Sequence, residues 1–203
     1  MRVGILGGAF NPPHLGHLVC AREAAEELEL SEVVLIPFSR PPHRELEQDP
    51  GPELRLEMCE LVAAADECLA ASRLELDRSG RSYTVDTLRE LRERRPEDQL
   101  FLVMGGDQAA SLCSWREPEE VLRLATVAVA QRESWDRERV LHELSGLPGV
   151  EGVVFFEMPR IDVSSTMVRR RVAEGRSIRY LVPDEVAGFI RSRSLYGATV
   201  AAQ

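Results

Sequence analysis

Short β-prone runs alternate with helical runs through the first 160 residues. Short β-like runs at 2–6, 33–37, 69–76, 99–104, 126–130 and 153–157 predict strands, and patterned stretches at 15–30, 52–65, 82–95, 107–112, 118–124 and 136–145 predict helices. Such alternation favours parallel pairing, because each helix returns the chain to the end of the sheet where the next strand starts. The expectation is an α/β fold, a doubly wound parallel sheet of about six strands. Past residue 160 only helices follow, at 164–174 and 183–192. They read as a small C-terminal helical lobe (161–203) appended to an α/β core (1–160), the 203 residues making one domain.

The formal net charge of −9 argues against nucleic acid and anionic membrane as partners. No apolar run approaches the length of a membrane span, and Met1-Arg2 leads straight into a strand without a signal-peptide pattern. A cytoplasmic location is expected; the oligomeric state, homo-oligomer included, stays open. Cys20, Cys59, Cys68 and Cys113 have no C-x-x-C spacing and are expected to be reduced packing residues. All 25 basic residues are arginine. Composition bias explains that plainly, yet it has a chemical consequence: any side-chain cation that grips phosphate here is arginine or histidine.

Between the first strand and the first helix lies Gly7-Gly8-Ala9-Phe10-Asn11-Pro12-Pro13-His14-Leu15-Gly16-His17. A strand-to-helix junction of a parallel sheet offers backbone N–H groups and the positive end of a helix dipole to an anion. Residues three apart share one helix face, so His14 and His17 can address the same ligand. Capping or packing histidines are the bland alternative. A zinc site is a poor fit, since no carboxylate or thiolate partner is evident. The Walker lysine is missing, and Gly4-x-x-Gly7-Gly8 lacks dinucleotide-fingerprint spacing.

A second anion site is legible at Ser164-Ser165-Thr166, which precedes Val168-Arg169-Arg170-Arg171. Free hydroxyls, a helix N-terminus and an arginine suit phosphate; a capped helix with a solvated basic face is the alternative. The proline- and charge-rich segment 39–52 is long for a strand-to-helix turn and carries His43 and Arg44, either as a mobile cover over phosphate or as a solvated loop. Asp107 follows a strand's C-terminal end, where it faces a ligand crevice or caps the next helix.

These segments carry a resemblance. Gly7–His17 resembles the GG[TS]F[DN]PxHxGH signature of the HxGH nucleotidyltransferase superfamily, and Ile161-Asp162-Val163-Ser164-Ser165-Thr166-Met167-Val168-Arg169 resembles its second signature. Pro41-Pro42-His43-Arg44, Ser82-Tyr83-Thr84-Val85-Asp86-Thr87-Leu88, Gly105-Gly106-Asp107, Ser114-Trp115 and Leu181-Val182-Pro183 are similar to elements of the bacterial nicotinate-nucleotide adenylyltransferases. In this order they span nearly the whole chain. Two departures stand out: Ala9 replaces a hydroxyl residue, and Cys113-Ser114-Trp115 differs from the usual P-T-W.

The resemblance implies a Rossmann-like fold and a reaction. ATP and nicotinate mononucleotide give nicotinate adenine dinucleotide and pyrophosphate, a step of NAD biosynthesis, with Mg²⁺ carried by the ATP phosphates and no metal ligand from protein side chains. His14, His17, Arg44 and Arg169 are the implied catalytic groups. Gly7, Gly8, Ala9, Phe10, His43, Gly105 and Asp107 are implied around ATP, with Ile161, Ser164, Ser165 and Thr166 from the second signature. Asn11, Ser39, Tyr83, Thr84, Trp115 and Arg132 are implied around the acceptor. Trp115 would stack on the pyridine ring, a core anchor being the alternative; the Tyr83–Thr84 N–H groups would grip the nicotinate carboxylate. Competing readings are adenylylation of nicotinamide mononucleotide, transfer to phosphopantetheine, and a non-catalytic nucleotide sensor on the same fold.

Overall fold

The computed structural model describes residues 1–40, 46–131 and 135–198. Six parallel strands form one sheet: β1 (Arg2–Gly8), β2 (Glu32–Pro37), β3 (Leu69–Ala71), β4 (Gln99–Gly105), β5 (Thr126–Gln131) and β6 (Val154–Glu157). Their order is β3-β2-β1-β4-β5-β6, so the winding reverses between β1 and β4, and a crevice opens beyond their C-terminal ends. The helices are α1 (Leu15–Glu27), α2 (Pro52–Ala64), α3 (Thr84–Arg94), α4 (Gly106–Ala110), α5 (Pro118–Leu124), α6 (Arg137–Glu143), α7 (Ser165–Ala173) and α8 (Asp184–Ser192).

Strand alternation sorts the core into two layers. Val33 and Leu35 join one apolar cluster with Ala21 and Ala24 of α1, Met58 and Val62 of α2, Val168 of α7 and Ile190 of α8. Val34 and Ile36, one residue out of step, join the other with Leu88 and Leu91 of α3 and Val121 of α5. Successive side chains on a strand point to opposite faces, and both faces are covered, which is why these strands read as continuous apolar runs. The two C-terminal helices thus build one core layer together with α1 and α2.

Several boundaries differ from expectation. β3 stops at Ala71, not residue 76, because the carbonyl of Arg73 accepts from the N–H groups of Leu76 (2.8 Å) and Asp77 (3.1 Å) and turns the chain. Leu74 and Glu75 are buried by that turn, not by a strand. The first helix ends at Glu27, where Leu28 caps it and Glu29 takes a left-handed φ of 50°. Beyond α4 the chain tightens into a 3₁₀ turn, Leu112–Ser114. Cys113 is exposed, with its Sγ donating to the Glu143 carbonyl, and so departs from the packing role expected of it. Cys20 and Cys59 are buried, Cys68 half-buried, and none of the four is in a disulfide among the described residues.

Candidate active site

Two cavities open at the crevice beyond β1 and β4. One, of about 520 Å³, is polar and lined by residues 7–11, His14, Gly16, His17, Cys20, Glu47, Gly105, Asp107, Ser165, Thr166 and Arg169, among others. The other, of about 360 Å³, is mainly apolar, with Ile36, Phe38, Leu88, Leu102, Met104 and Trp115 beside Glu75, Ser82, Tyr83, Thr84 and Arg116. Gly7, Gly8 and Gln108 line both. The glycine end of β1 is therefore the floor across which the two compartments meet.

The histidines are built into the start of α1. His14 is its N-cap in extended geometry, and its backbone N–H donates to Nδ1 of His17 at 3.2 Å. A neutral imidazole that accepts at Nδ1 carries its proton on Nε2, so His17 is left with one N–H donor. The two rings stack with centroids 3.8 Å apart, and Phe10 packs edge-on against His17 at 5.0 Å. Phe10 takes a φ of 46°, which costs a non-glycine residue about 1 kcal/mol or more, and its ring is completely buried beneath the turn.

Gly16 explains why glycine separates these histidines. A Cβ there would stand 3.1 Å from Cε1 and 3.2 Å from Nδ1 of His14. Gly16→Ala is expected to move the His14 ring and lower turnover by about tenfold, since misplacing a reacting group by an ångström costs that much or more. Helix propensity favours alanine, so the melting temperature should hold. Steady-state rates beside a thermal melt check this; unchanged turnover would mean that the ring has no fixed seat.

The second signature docks onto the first. Ser164 caps α7, its Oγ accepting from the Met167 N–H at 3.2 Å. Ser165 Oγ donates to the Pro12 carbonyl at 2.9 Å. Arg169, 7% exposed, donates through Nη1 to the Asn11 carbonyl at 2.9 Å and through Nη2 to Thr166 Oγ1 at 3.4 Å. Its only carboxylate among the described residues is Glu47 at 3.8 Å, and its Nε is buried without a hydrogen-bond partner among them. A buried guanidinium with donors to spare at a polar cavity is suited to an anion. Ile161 lies outside the cavity lining, its Cγ2 3.7 Å from where a Cβ on Gly16 would stand.

Other predicted residues fall as follows. Asn11 lines the polar cavity, not the apolar one; its Nδ2 donates to the Glu47 carbonyl at 3.1 Å and its Oδ1 accepts from the Tyr196 hydroxyl at 2.8 Å. Ser39 lines neither cavity; its N–H donates to Ser82 Oγ at 3.1 Å. Tyr83 is the N-cap of α3 and has no side-chain cap bond, so the first N–H groups of that helix lack intrahelical acceptors beside the apolar cavity. Trp115 forms part of that cavity's wall, its indole N–H held by Ser111 Oγ at 3.1 Å. Gly105 precedes α4, and Asp107 sits in its first turn. His43, Arg44 and Arg132 lie outside the described residues.

Two residues that the sequence reading missed hold the site together. Arg55, wholly buried in α2, donates to Asp49 Oδ1 (2.9 Å), the Ala9 carbonyl (2.9 Å) and the Ser39 carbonyl (3.4 Å). It shares the helix face of Met58, Cys59 and Val62, so an arginine at an apolar-period position was the available signal. Tyr196 carries no such signal. Its partner Asn11 is 185 residues away, and burial pushes its phenol above the ordinary value, which keeps it a donor.

The cytidylyltransferase-like family model matches residues 5–171. A Rubrobacter xylanophilus protein named "Probable nicotinate-nucleotide adenylyltransferase" is 39% identical over 98% of this chain and 93% of its own length. Its Thermus thermophilus namesake is 43% identical over 97% of this chain and all of its own. Among solved structures, Plasmodium falciparum nicotinic acid mononucleotide adenylyltransferase complexed with NaAD superposes with a TM-score of 0.79 over 98% of both chains; at 17% identity this likeness bears on the fold. The chain belongs to the cytidylyltransferase-like family and, within it, to the nicotinate-nucleotide adenylyltransferases.

Proposed function

We propose that this protein transfers the adenylyl group of ATP to nicotinate mononucleotide, releasing pyrophosphate and nicotinate adenine dinucleotide. The observation that carries the reading is the paired cleft: a polar cavity with two histidines and a buried arginine joins an apolar one with an aromatic wall across Gly7–Gly8. ATP takes the polar side and the pyridine ring the apolar side, so the acceptor phosphate meets the α-phosphorus over the glycine end of β1.

The step is an in-line displacement. An acceptor phosphate oxygen bonds to the α-phosphorus, the bond to the β-bridging oxygen breaks, and pyrophosphate leaves with its electrons. Little covalent work is asked of the protein; placement and charge stabilisation carry the reaction. His17, with its proton on Nε2, and His14 address the α-phosphate, while Arg169 and the α7 N-terminus hold the leaving phosphates. Arg44 and His43 are assigned to the phosphate side and Arg132 to the acceptor phosphate. Mg²⁺, when bound with ATP, neutralises part of the triphosphate charge. Only two carboxylates among the described residues, Glu47 and Asp107, line the polar cavity, which fits a metal carried by the nucleotide better than a protein-built cage.

Pyrophosphate release with ATP, Mg²⁺ and each of nicotinate mononucleotide, nicotinamide mononucleotide and phosphopantetheine tests the reading. Turnover is expected to favour the nicotinate form; preference for another acceptor overturns the assignment, and turnover with none leaves a nucleotide sensor. Trp115→Ala is expected to raise the KM for nicotinate mononucleotide by about tenfold, the worth of one aromatic stack, and to leave the KM for ATP unchanged. Equal rises in both would remove Trp115 from the acceptor site.

A further inference from the structure

Deep in the wall of the apolar cavity sits a carboxyl group. Glu75 is 7% exposed and lies in the turn that follows β3. Its Oε1 accepts from the Thr87 hydroxyl at 2.6 Å, and the same hydroxyl oxygen accepts from Arg78 Nη2 at 2.9 Å. Its Oε2 is buried without a hydrogen-bond partner among the described residues. Arg78 pairs with Glu90 at 3.5 Å, and among the described residues no arginine or histidine forms an ion pair with Glu75. Burying a carboxyl group in an apolar wall is costly. Burial pushes this one above the ordinary carboxylate range, and the Thr87 and Ser82 hydroxyls and Arg78 pull it back.

What the arrangement accomplishes is mechanical. Thr87 lies one turn into α3, and its hydroxyl has one proton, which the 2.6 Å contact to Glu75 claims over the Tyr83 carbonyl at 3.4 Å. Ser82, just before that helix, accepts from Ser39 N–H at 3.1 Å, and its own N–H donates to the Arg40 carbonyl at 2.9 Å. Three segments are therefore tied together at the start of α3: Ser82 joins it to the exit of β2, and Thr87 joins it to Glu75 in the turn after β3. The start of α3 brings the N–H groups at Tyr83 and Thr84 to the cavity that Trp115 also lines.

We propose that Glu75, acting through Thr87, is a positioning residue that fixes the N-terminus of α3 against the apolar cavity and so sets the affinity and carboxylate preference of the acceptor site. The inference rests on the acceptor assignment above. Loss of the Glu75–Thr87 bond lets the helix start shift, and a carboxylate that needs both N–H groups loses more than an amide does.

The test is steady-state kinetics on the intact protein with ATP, nicotinate mononucleotide and nicotinamide mononucleotide, with folding checked by thermal melts. Glu75→Leu is expected to raise the KM for nicotinate mononucleotide about tenfold, the scale of one charge-assisted hydrogen bond. The KM for ATP and kcat should stay within about twofold, and the nicotinate-over-nicotinamide ratio should fall. Glu75→Gln, whose amide oxygen still accepts from Thr87, should restore most of the loss. Thr87→Val breaks the same bond from the other side and should match Glu75→Leu, and the double variant should be no worse than either single one. Folded single variants with an unchanged acceptor KM, or with equal rises for acceptor and ATP, overturn the inference alone. A wild-type protein that does not turn over nicotinate mononucleotide overturns the functional reading and takes this inference with it.

Discussion

Replacing His17 by alanine is expected to slow pyrophosphate release by about 10²–10³-fold, the usual cost of losing one donor aimed at transition-state charge. His14→Ala should fall in the same range. The protein should remain folded, because α1 is anchored by Cys20, Ala21, Ala24 and Ala25, and each histidine adds to its start only a cap-type contact worth about 1 kcal/mol. His17→Asn separates the two roles. Its amide oxygen can accept from the His14 N–H as Nδ1 does at 3.2 Å, but it cannot reach where Nε2 points. Single-turnover rates near wild type for His17→Asn would make His17 a capping residue and sink the proposed mechanism.

Arg55→Ala is expected to be the most destabilising substitution in the site. It leaves the Ala9 and Ser39 carbonyls without the guanidinium, leaves Asp49 with the Gly51 N–H at 3.0 Å but no cation, and opens a hole under Phe38, whose ring lies 5.5 Å from the guanidinium. Removing one partner of a buried charged network costs about 3–5 kcal/mol. Asp49 is partly solvated, which places the expected loss near about 3 kcal/mol, or roughly 6–12 °C in Tm for a chain of this size. Arg55→Lys keeps the charge but not the fork and should recover only part of the loss. Urea midpoints at an unchanged m-value measure it; a loss below about 1 kcal/mol would mean the network is dispensable.

The sheet and its helices were legible because their signals are local. Apolar runs of strand length separated by helical periods permit few arrangements, and a short apolar strand running into Gly7-Gly8 and two histidines puts donors at a helix start whatever surrounds them. The helix starts at Ser164 and Tyr83 were readable for the same reason. Element ends were less so. The length of β3 depended on where the Arg73 carbonyl found its donors, a matter of competition between a ladder and a turn.

Within the site, sequence determined the chemical inventory: histidines and arginines in place of lysine, glycine where a ring must be seated, an aromatic residue for a stack. Tertiary structure decided which of these groups meet. Asn11 takes the hydroxyl of Tyr196 from the opposite end of the chain, Arg169 ties α7 to the first motif, and Arg55 turns its charge inward from a helix that is otherwise apolar on that face. Such contacts join segments far apart in sequence, and the cost of burying their charges is offset only once every partner is in place. No local pattern encodes that condition; it is met in the folded chain alone.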